Sequence, residues 1–199
     1  MEIDPAKLSK EANYKLLTGC VVPRPIAWVS SGIAPAMINL APFSTFTFVS
    51  TSPPMVGFNC GARDGLRKDT SRNIHANGEY VVNIADQSLL EALHLSSEHH
   101  PPDISEAELL GLEMAPSSAI RTPRVARAPV SMECRLSQVL NFGSMDNEFF
   151  VGEVLRFHVR DDLLRDGKIN TRELNPVCRL GGPTYAVLGE ILSLRPVKP

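Results

Sequence analysis

The fold is decided by residues 37–60, MINLAPFSTFTFVSTSPPMVGFNC, which contain three short β-prone runs at 37–40, 43–50 and 55–60. Phe, Thr and Val dominate these runs, and β-branched and aromatic residues favour strands. Pro53 and Pro54 separate the last two runs, because proline cannot donate a hydrogen bond to a strand ladder. This stretch therefore predicts successive short strands.

The flanking sequence continues the pattern, with further strands predicted at 26–31, 79–84, 129–140, 149–159 and 185–192. Glycine-containing turns are predicted at 32–36 and, as a hairpin, at 143–147. Three short helices are predicted: residues 69–77, capped by Asp69 or Thr70 and ended by Gly78; residues 88–95; and a helix after the N-cap Ser105, ended by Gly111. Alternating βαβ order is absent, so a closed or nearly closed antiparallel barrel with helical insertions fits best.

Composition limits the class of protein. The 199 residues are 43% hydrophobic and 21% charged, and 20 Lys+Arg stand against 22 Asp+Glu. These values predict one globular domain, residues 1–199, that binds no nucleic acid. No apolar window is long enough to span a membrane, and the polar first ten residues lack secretory-signal character, so we expect a cytoplasmic protein without membrane contact.

The sequence lacks the motifs of several kinds of chemistry. The four cysteines, at positions 20, 60, 134 and 178, contain no CxxC pair, and no HExxH occurs, so we expect no metal site. The sequence has no GxGxxG after a strand, no P-loop and no GxSxG nucleophile elbow. Rossmann-type dinucleotide binding, P-loop phosphate binding and serine hydrolase chemistry are therefore excluded.

Two stretches retain the chemistry of a binding site. Residues 39–46 place small and hydroxylic side chains on a strand, where the backbone can approach a flat polar ring. Residues 63–73 combine two cations, a hydroxyl and a helix N-terminus, which suit one phosphate group. Together they suggest a mononucleotide site. The alternative is an ordinary surface turn with solvated Arg and Lys side chains and a common helix cap, and these residues alone leave both interpretations open.

Five motifs in one order resemble the flavin reductase-like family of FMN-binding split-barrel proteins. They are VPRPIAWVSS at 22–31, NLAPFS at 39–44, SPP at 52–54, KDTSRNI at 68–74 and RLGGPTY at 179–185. The resemblance implies a mainly β, Greek-key split β-barrel with a few short helices. It also implies a homodimer that binds FMN near the subunit interface and receives electrons from NADH or NADPH.

The resemblance also implies site residues. Asn39, Ala41, Phe43, Ser44 and Thr45 would line the isoalloxazine and ribityl chain, and Arg63, Lys68, Thr70 and Asn73 would hold the phosphate, with Cys60 close to it and Asp69 orienting the loop. We expect Tyr185 to approach the flavin or the partner chain, and His158 to be a barrel or interface residue. No catalytic residue is assigned, because hydride transfer to flavin N5 needs no general base.

The function implied is an NAD(P)H-dependent oxidoreductase of the flavin reductase type. Electrons would pass on to a small molecule, a metal ion or a partner monooxygenase. The alternative is a flavoredoxin-like FMN electron carrier, which a protein partner reduces. The motifs quoted are common to both kinds of protein.

Overall fold

The computed structural model describes residues 1–33, 37–143 and 147–195. Its helices and strands are, in chain order, α1 (Lys10–Cys20), β1 (Arg24–Pro25), β2 (Ala27–Ser31), β3 (Asn39–Phe43), β4 (Phe46–Thr51), β5 (Pro54–Cys60), α2 (Asp69–Asn77), β6 (Glu79–Ile84), α3 (Leu90–Leu95), α4 (Glu106–Leu109), β7 (Met114–Ala115), β8 (Arg124–Val125), β9 (Val130–Phe142), β10 (Asn147–Val159), β11 (Leu164–Arg165), β12 (Lys168–Ile169), α5 (Thr171–Leu174), β13 (Cys178–Arg179) and β14 (Tyr185–Ala186).

Seven of these strands form one antiparallel sheet in the order β3-β2-β6-β9-β10-β5-β4. β9 and β10 pair along their whole length, and the register shifts between Val151 and Gly152 and between Val154 and Arg156. Such irregularities bend and twist a strand, and the sheet curls around an apolar interior. The interior is filled mainly by aromatic and β-branched side chains, among them Val29, Phe43, Phe58, Ile74, Tyr80, Val82 and Phe150.

β2 is buried along its whole length because it packs on both faces. Ala27 and Val29 belong to the interior of the curled sheet. Trp28 belongs to a second apolar cluster outside it, with Leu40, Leu89, Leu93 and Ala107. The cluster joins the sheet to α3 and α4. These two helices consequently form a wall beside β3.

Several sequence predictions are confirmed. The strand at 79–84 has the predicted bounds, the long β9–β10 pair is present, and Gly78 ends α2. Ser105 caps α4 and accepts a hydrogen bond from the Glu108 N–H.

Other predictions are wrong in detail. The runs 37–40 and 43–50 divide differently, because β3 continues through Phe43 and β4 begins at Phe46. The last strand is restricted to Tyr185–Ala186, which pairs only with the two residues of β13 among the described residues. α1 was not predicted from the sequence; none of its residues is buried, and Ser9, its N-cap, is its clearest sequence signal.

Two predicted turns fall partly outside the described residues. Residues 34–36 of the turn at 32–36 and residues 144–146 of the hairpin at 143–147 lie outside the described residues. Within the described ranges, no helix combines the length and apolar character that a membrane crossing requires.

Candidate functional site

A cavity of about 390 Å³, called the main cavity here because most of the predicted site residues line it, lies beside β3, the loop at residues 61–68 and the start of α2. Its opposite wall comes from residues 96–100, which follow α3, and from Pro102 and Glu106. The volume is within the range of roughly 300 to 1,000 Å³ that is typical of small-molecule sites. Seven of the predicted site residues line this cavity: Asn39, Ala41, Phe43, Arg63, Lys68, Asp69 and Thr70.

The loop before α2 contains a tight two-residue turn. Arg63 and Leu66 exchange backbone hydrogen bonds of 2.9 and 2.8 Å, and between them Asp64 and Gly65 have φ values of 51° and 74°. Positive φ at both central positions defines the type I′ geometry, for which Asp-Gly is a preferred sequence. The turn consequently fixes the backbone of Arg63 at the edge of the cavity.

The first turn of α2 has no side-chain cap. Lys68 occupies the N-cap position and makes no capping hydrogen bond, so the prediction that Asp69 or Thr70 caps the helix is wrong. Asp69 is instead the first residue of the helix and forms an ion pair with Arg72. Thr70 Oγ1 accepts a 3.3 Å hydrogen bond from Asn39 Nδ2, which ties the helix to β3. An uncapped helix N-terminus presents N–H donors and a partial positive charge, which favour an anion.

Two cations of the cavity lack a carboxylate partner. Among the described residues, Arg63 and Lys68 form no ion pair, whereas Arg67 pairs with Glu148 and Arg72 with Asp69. The Lys68 ammonium lies 5.9 Å from the centre of the Phe43 ring. The charges of Arg63 and Lys68 are therefore free to meet a ligand.

One buried acid also lines the cavity. Glu106 accepts a 2.9 Å hydrogen bond from the Leu40 N–H, and burial raises the pKa of its carboxyl. Glu106, Arg67 and residues 96–100 were not among the site residues predicted from the sequence. A lone glutamate near a helix start and a polar loop carry no sequence signal for a site, because only the packing of α3 and α4 on the sheet brings them there.

Four predicted site residues, Asn73, Ser44, Thr45 and Cys60, do not line the main cavity. Asn73 lines an adjoining cavity of about 520 Å³ and donates a 3.3 Å hydrogen bond to Ser31 Oγ. Ser44 lines a smaller cavity of about 180 Å³, which shares Pro42 with the main cavity, and accepts a long 3.4 Å hydrogen bond from Arg24 Nε. The Thr45 carbonyl accepts from the Asn59 N–H. Cys60 is buried, and that burial raises the pKa of its thiol to about 11.

Two further residues, Tyr185, expected to approach the flavin or the partner chain, and His158, expected in the barrel or an interface, have internal partners. The Tyr185 hydroxyl lies 2.9 Å from His94 Nδ1 and also bonds with Arg179. His158 Nε2 lies 2.5 Å from a carboxylate oxygen of the fully buried Glu133. Neither side chain lines the main cavity.

Comparison with known proteins identifies the chain's relatives. The profile of the flavin reductase like domain matches residues 18–173, which is most of the chain. The chain belongs to the flavin reductase-like family. The resemblance found in the sequence is thereby confirmed.

Two solved structures are closely similar to this flavin reductase-like protein. Nitrilotriacetate monooxygenase component B from Bacillus cereus is 39% identical, with 98% of each chain covered and a TM-score of 0.94. The 2-nitrobenzoate 2-nitroreductase NbaA from Pseudomonas fluorescens is 31% identical, with 98% of this chain and 95% of that chain covered and a TM-score of 0.89.

A third structure bears on the fold alone. A split-barrel protein from Shewanella frigidimarina is 20% identical, with 99% of this chain and 100% of that chain covered and a TM-score of 0.85. The predicted fold class, a mainly β split barrel with a few short helices, is confirmed. The flavin reductase-like protein belongs to a flavin-binding family, and the solved structures similar to it include oxidoreductases.

Proposed function

We propose that the chain binds FMN in the main cavity, with the phosphate at the start of α2. The observation that carries this proposal is the juxtaposition of two unpaired cations, Arg63 and Lys68, with an uncapped helix N-terminus in one cavity. A phosphate dianion fits this donor set, because cations and backbone N–H groups are its preferred partners. Thr70, in the first turn of the same helix, adds a hydroxyl group.

β3 supports the rest of the ligand. Asn39, Ala41 and Phe43 line the cavity on this strand, and Pro42 between them has no N–H group to leave unsatisfied. We expect these residues, with the backbone of Ser44 and Thr45, to contact the isoalloxazine and ribityl chain. Asn73 and Cys60 would support the phosphate region from its periphery. Asp69, paired with Arg72, orients the helix start rather than facing the phosphate, because two anions repel each other.

The proposed activity is that of an NAD(P)H-dependent oxidoreductase of the flavin reductase type. Bound FMN would supply the redox chemistry by accepting a hydride at N5. The protein's own residues bind the phosphate, orient the ring and shield one side of it, and none is proposed as an acid or base. The names of the two similar proteins support either a partner monooxygenase or a small oxidised molecule as the acceptor.

The test is the visible spectrum of the protein with one equivalent of FMN, recorded without oxygen before and after NADH and then NADPH are added. Bleaching of the flavin band by either nicotinamide supports the proposed activity. Bound flavin that stays oxidised with both would instead favour the flavoredoxin-like carrier. Absence of FMN binding would overturn both interpretations.

We also propose that the protein is a homodimer. Large apolar side chains are exposed on β4, β9 and β10, including Phe48 at 72% exposure, Phe142 at 56% and Phe157 at 56%. β4 is also an edge of the main sheet. Exposed apolar patches and open edges typically mark interfaces. Light scattering coupled to gel filtration tests this proposal, and a monomeric mass at micromolar concentration would contradict it.

A further inference from the structure

Glu148, at the start of β10, is the centre of a buried polar cluster that the proposed FMN contacts do not use. Only 5% of the residue is exposed. One carboxylate oxygen, Oε1, lies 3.1 Å from Arg67 Nε and 2.7 Å from His75 Nε2. The other oxygen accepts a 2.5 Å hydrogen bond from Ser71 Oγ. One carboxylate therefore joins the loop before α2, the first turn of α2 and its last turn.

These contacts flank the proposed phosphate site on both sides. Arg67 immediately precedes Lys68, and Ser71 immediately follows Thr70, so Glu148 restrains both ends of the segment that would hold the phosphate. Arg67 also accepts a 2.6 Å hydrogen bond from Arg72 through its carbonyl. The I′ turn from Arg63 to Leu66 fixes the middle of the loop, and Glu148 fixes its end through Arg67.

The chemistry of the cluster agrees with a restraining role. Burial by itself raises the pKa of the Glu148 carboxyl, but the hydrogen bonds from Ser71, His75 and Arg67 outweigh it and lower the pKa below its ordinary value. The group is thus held as a charged acceptor. A charged acceptor binds its donors more strongly than a neutral one.

We infer that Glu148 is a positioning residue for anion binding: it holds the segment from Arg67 to Ser71 in the conformation that receives a phosphate. The inference rests on the proposed function. The inference predicts a change in FMN affinity opposite to that of a simple charge effect, because a negative charge near a phosphate opposes binding by Coulomb repulsion. Positioning predicts that loss of the carboxylate weakens phosphate binding, whereas a charge effect alone predicts that binding tightens.

The experiment compares the affinities of FMN and riboflavin, which differ only in the phosphate, for the wild-type protein, Glu148→Gln and Glu153→Gln. Glu153 is the matched control, since it lies on the same strand and pairs with the exposed Arg135 away from the loop. We expect Glu148→Gln to weaken FMN binding about tenfold, as loss of a charged hydrogen bond does, and to leave riboflavin binding within about threefold. Glu153→Gln should change neither affinity.

Three results would overturn the inference. Tighter FMN binding in Glu148→Gln would show a charge effect alone, and equal weakening of both ligands would show a general structural role. A wild-type protein that binds FMN no more tightly than riboflavin would overturn the proposed phosphate site itself and the inference with it. If Glu148→Gln does not fold, Ser71→Ala removes one restraint while the carboxylate remains, and unchanged FMN affinity in that variant counts against the inference.

Discussion

Trp28 donates its indole N–H to Ser96 Oγ over 2.8 Å, and this bond connects the curled sheet to the wall of the main cavity. Trp28 is the only tryptophan of the chain and is fully buried. We expect its fluorescence to be quenched when FMN binds, because flavin absorption overlaps tryptophan emission and Ser96 lies at the cavity. A fluorescence titration checks this, and Trp28→Phe should abolish the signal. Emission that does not change while FMN is shown to bind by gel filtration would place the flavin elsewhere.

Lys68→Ala should weaken FMN binding by about 1.5 to 3 kcal/mol, the contribution typical of a hydrogen bond to a charged group. Riboflavin binding should change little, because Lys68 is proposed to meet the phosphate. Lys15→Ala in the exposed helix α1 is the control and should bind both ligands as the wild-type protein does. Calorimetric titration measures both affinities; equal FMN affinity in Lys68→Ala and wild type would show that the phosphate lies elsewhere.

Gly65→Ala isolates the cost of positive φ. An added Cβ at Gly65 meets no atom within 4 Å, so the penalty comes only from its φ of +74°. We expect destabilisation by about 1 to 2 kcal/mol and weaker FMN binding, because the turn positions Arg63. Gly19→Ala is the counterpart: it also has free space, and it lies in helix α1 without positive φ.

Gly19→Ala should therefore stabilise the protein, by up to about 1 kcal/mol, through the higher helix propensity of alanine. Urea denaturation measures both changes. Opposite signs for the two variants are the expected pattern. A neutral Gly65→Ala would show that the loop readily relaxes out of the I′ geometry.

Tyr80→Phe should stabilise the protein. The free energy of unfolding should rise by about 1 to 3 kcal/mol, because the variant removes a buried polar group that lacks a hydrogen bond. Tyr80 is fully buried, and its hydroxyl has no hydrogen-bond partner among the described residues. The hydroxyl fits only because residue 152 is glycine, since a Cβ there would lie 2.3 Å from it. Tyr14→Phe, at a residue with 66% exposure, is the control and should be neutral. Destabilisation of Tyr80→Phe in urea would reveal a partner for the hydroxyl.

Stability should fall in acid because two buried carboxylates have a lowered pKa in the folded state. Burial alone raises the pKa of Glu148 and Glu133, but hydrogen bonds reverse this, from Ser71, His75 and Arg67 to Glu148 and from His158, Ser118 and Ala119 to Glu133. In the unfolded chain each carboxyl binds protons more readily. The contribution is therefore complete above the unfolded pKa of about 4.3 and is lost as pH falls through the lower folded pKa.

The measurement is the free energy of unfolding between about pH 6 and pH 3, a window that brackets the unfolded pKa of glutamate. The wild-type protein should lose stability towards the acid end, and Glu148→Gln should show a shallower dependence. Parallel curves for both proteins would mean that Glu148 is not held in its charged form by the fold.

Local signals account for what the sequence predicts well. The strand at 79–84 and the helix ended by Gly78 were predicted with their correct bounds, because side-chain type and backbone freedom act within a few residues. The cap of α2 was predicted wrongly: Lys68 occupies the N-cap position, and the side chain of Asp69, the first helical residue, pairs with Arg72 instead of capping. A pattern of residue types does not show which of two competing contacts forms.

The amino-acid sequence by itself determined the family and the strand-rich fold, and it predicted the segments proposed to bind a ligand, because motifs in a fixed order and local propensities depend on residues close together along the chain. Only the tertiary structure decided which of the predicted residues share one cavity, that residues 96–100 and Glu106 complete its wall, and that Glu148 holds Ser71, 77 positions away. Such contacts depend on how the sheet curls and how α3 and α4 pack on it. These arrangements arise from the burial of side chains distant in sequence, which no local pattern specifies.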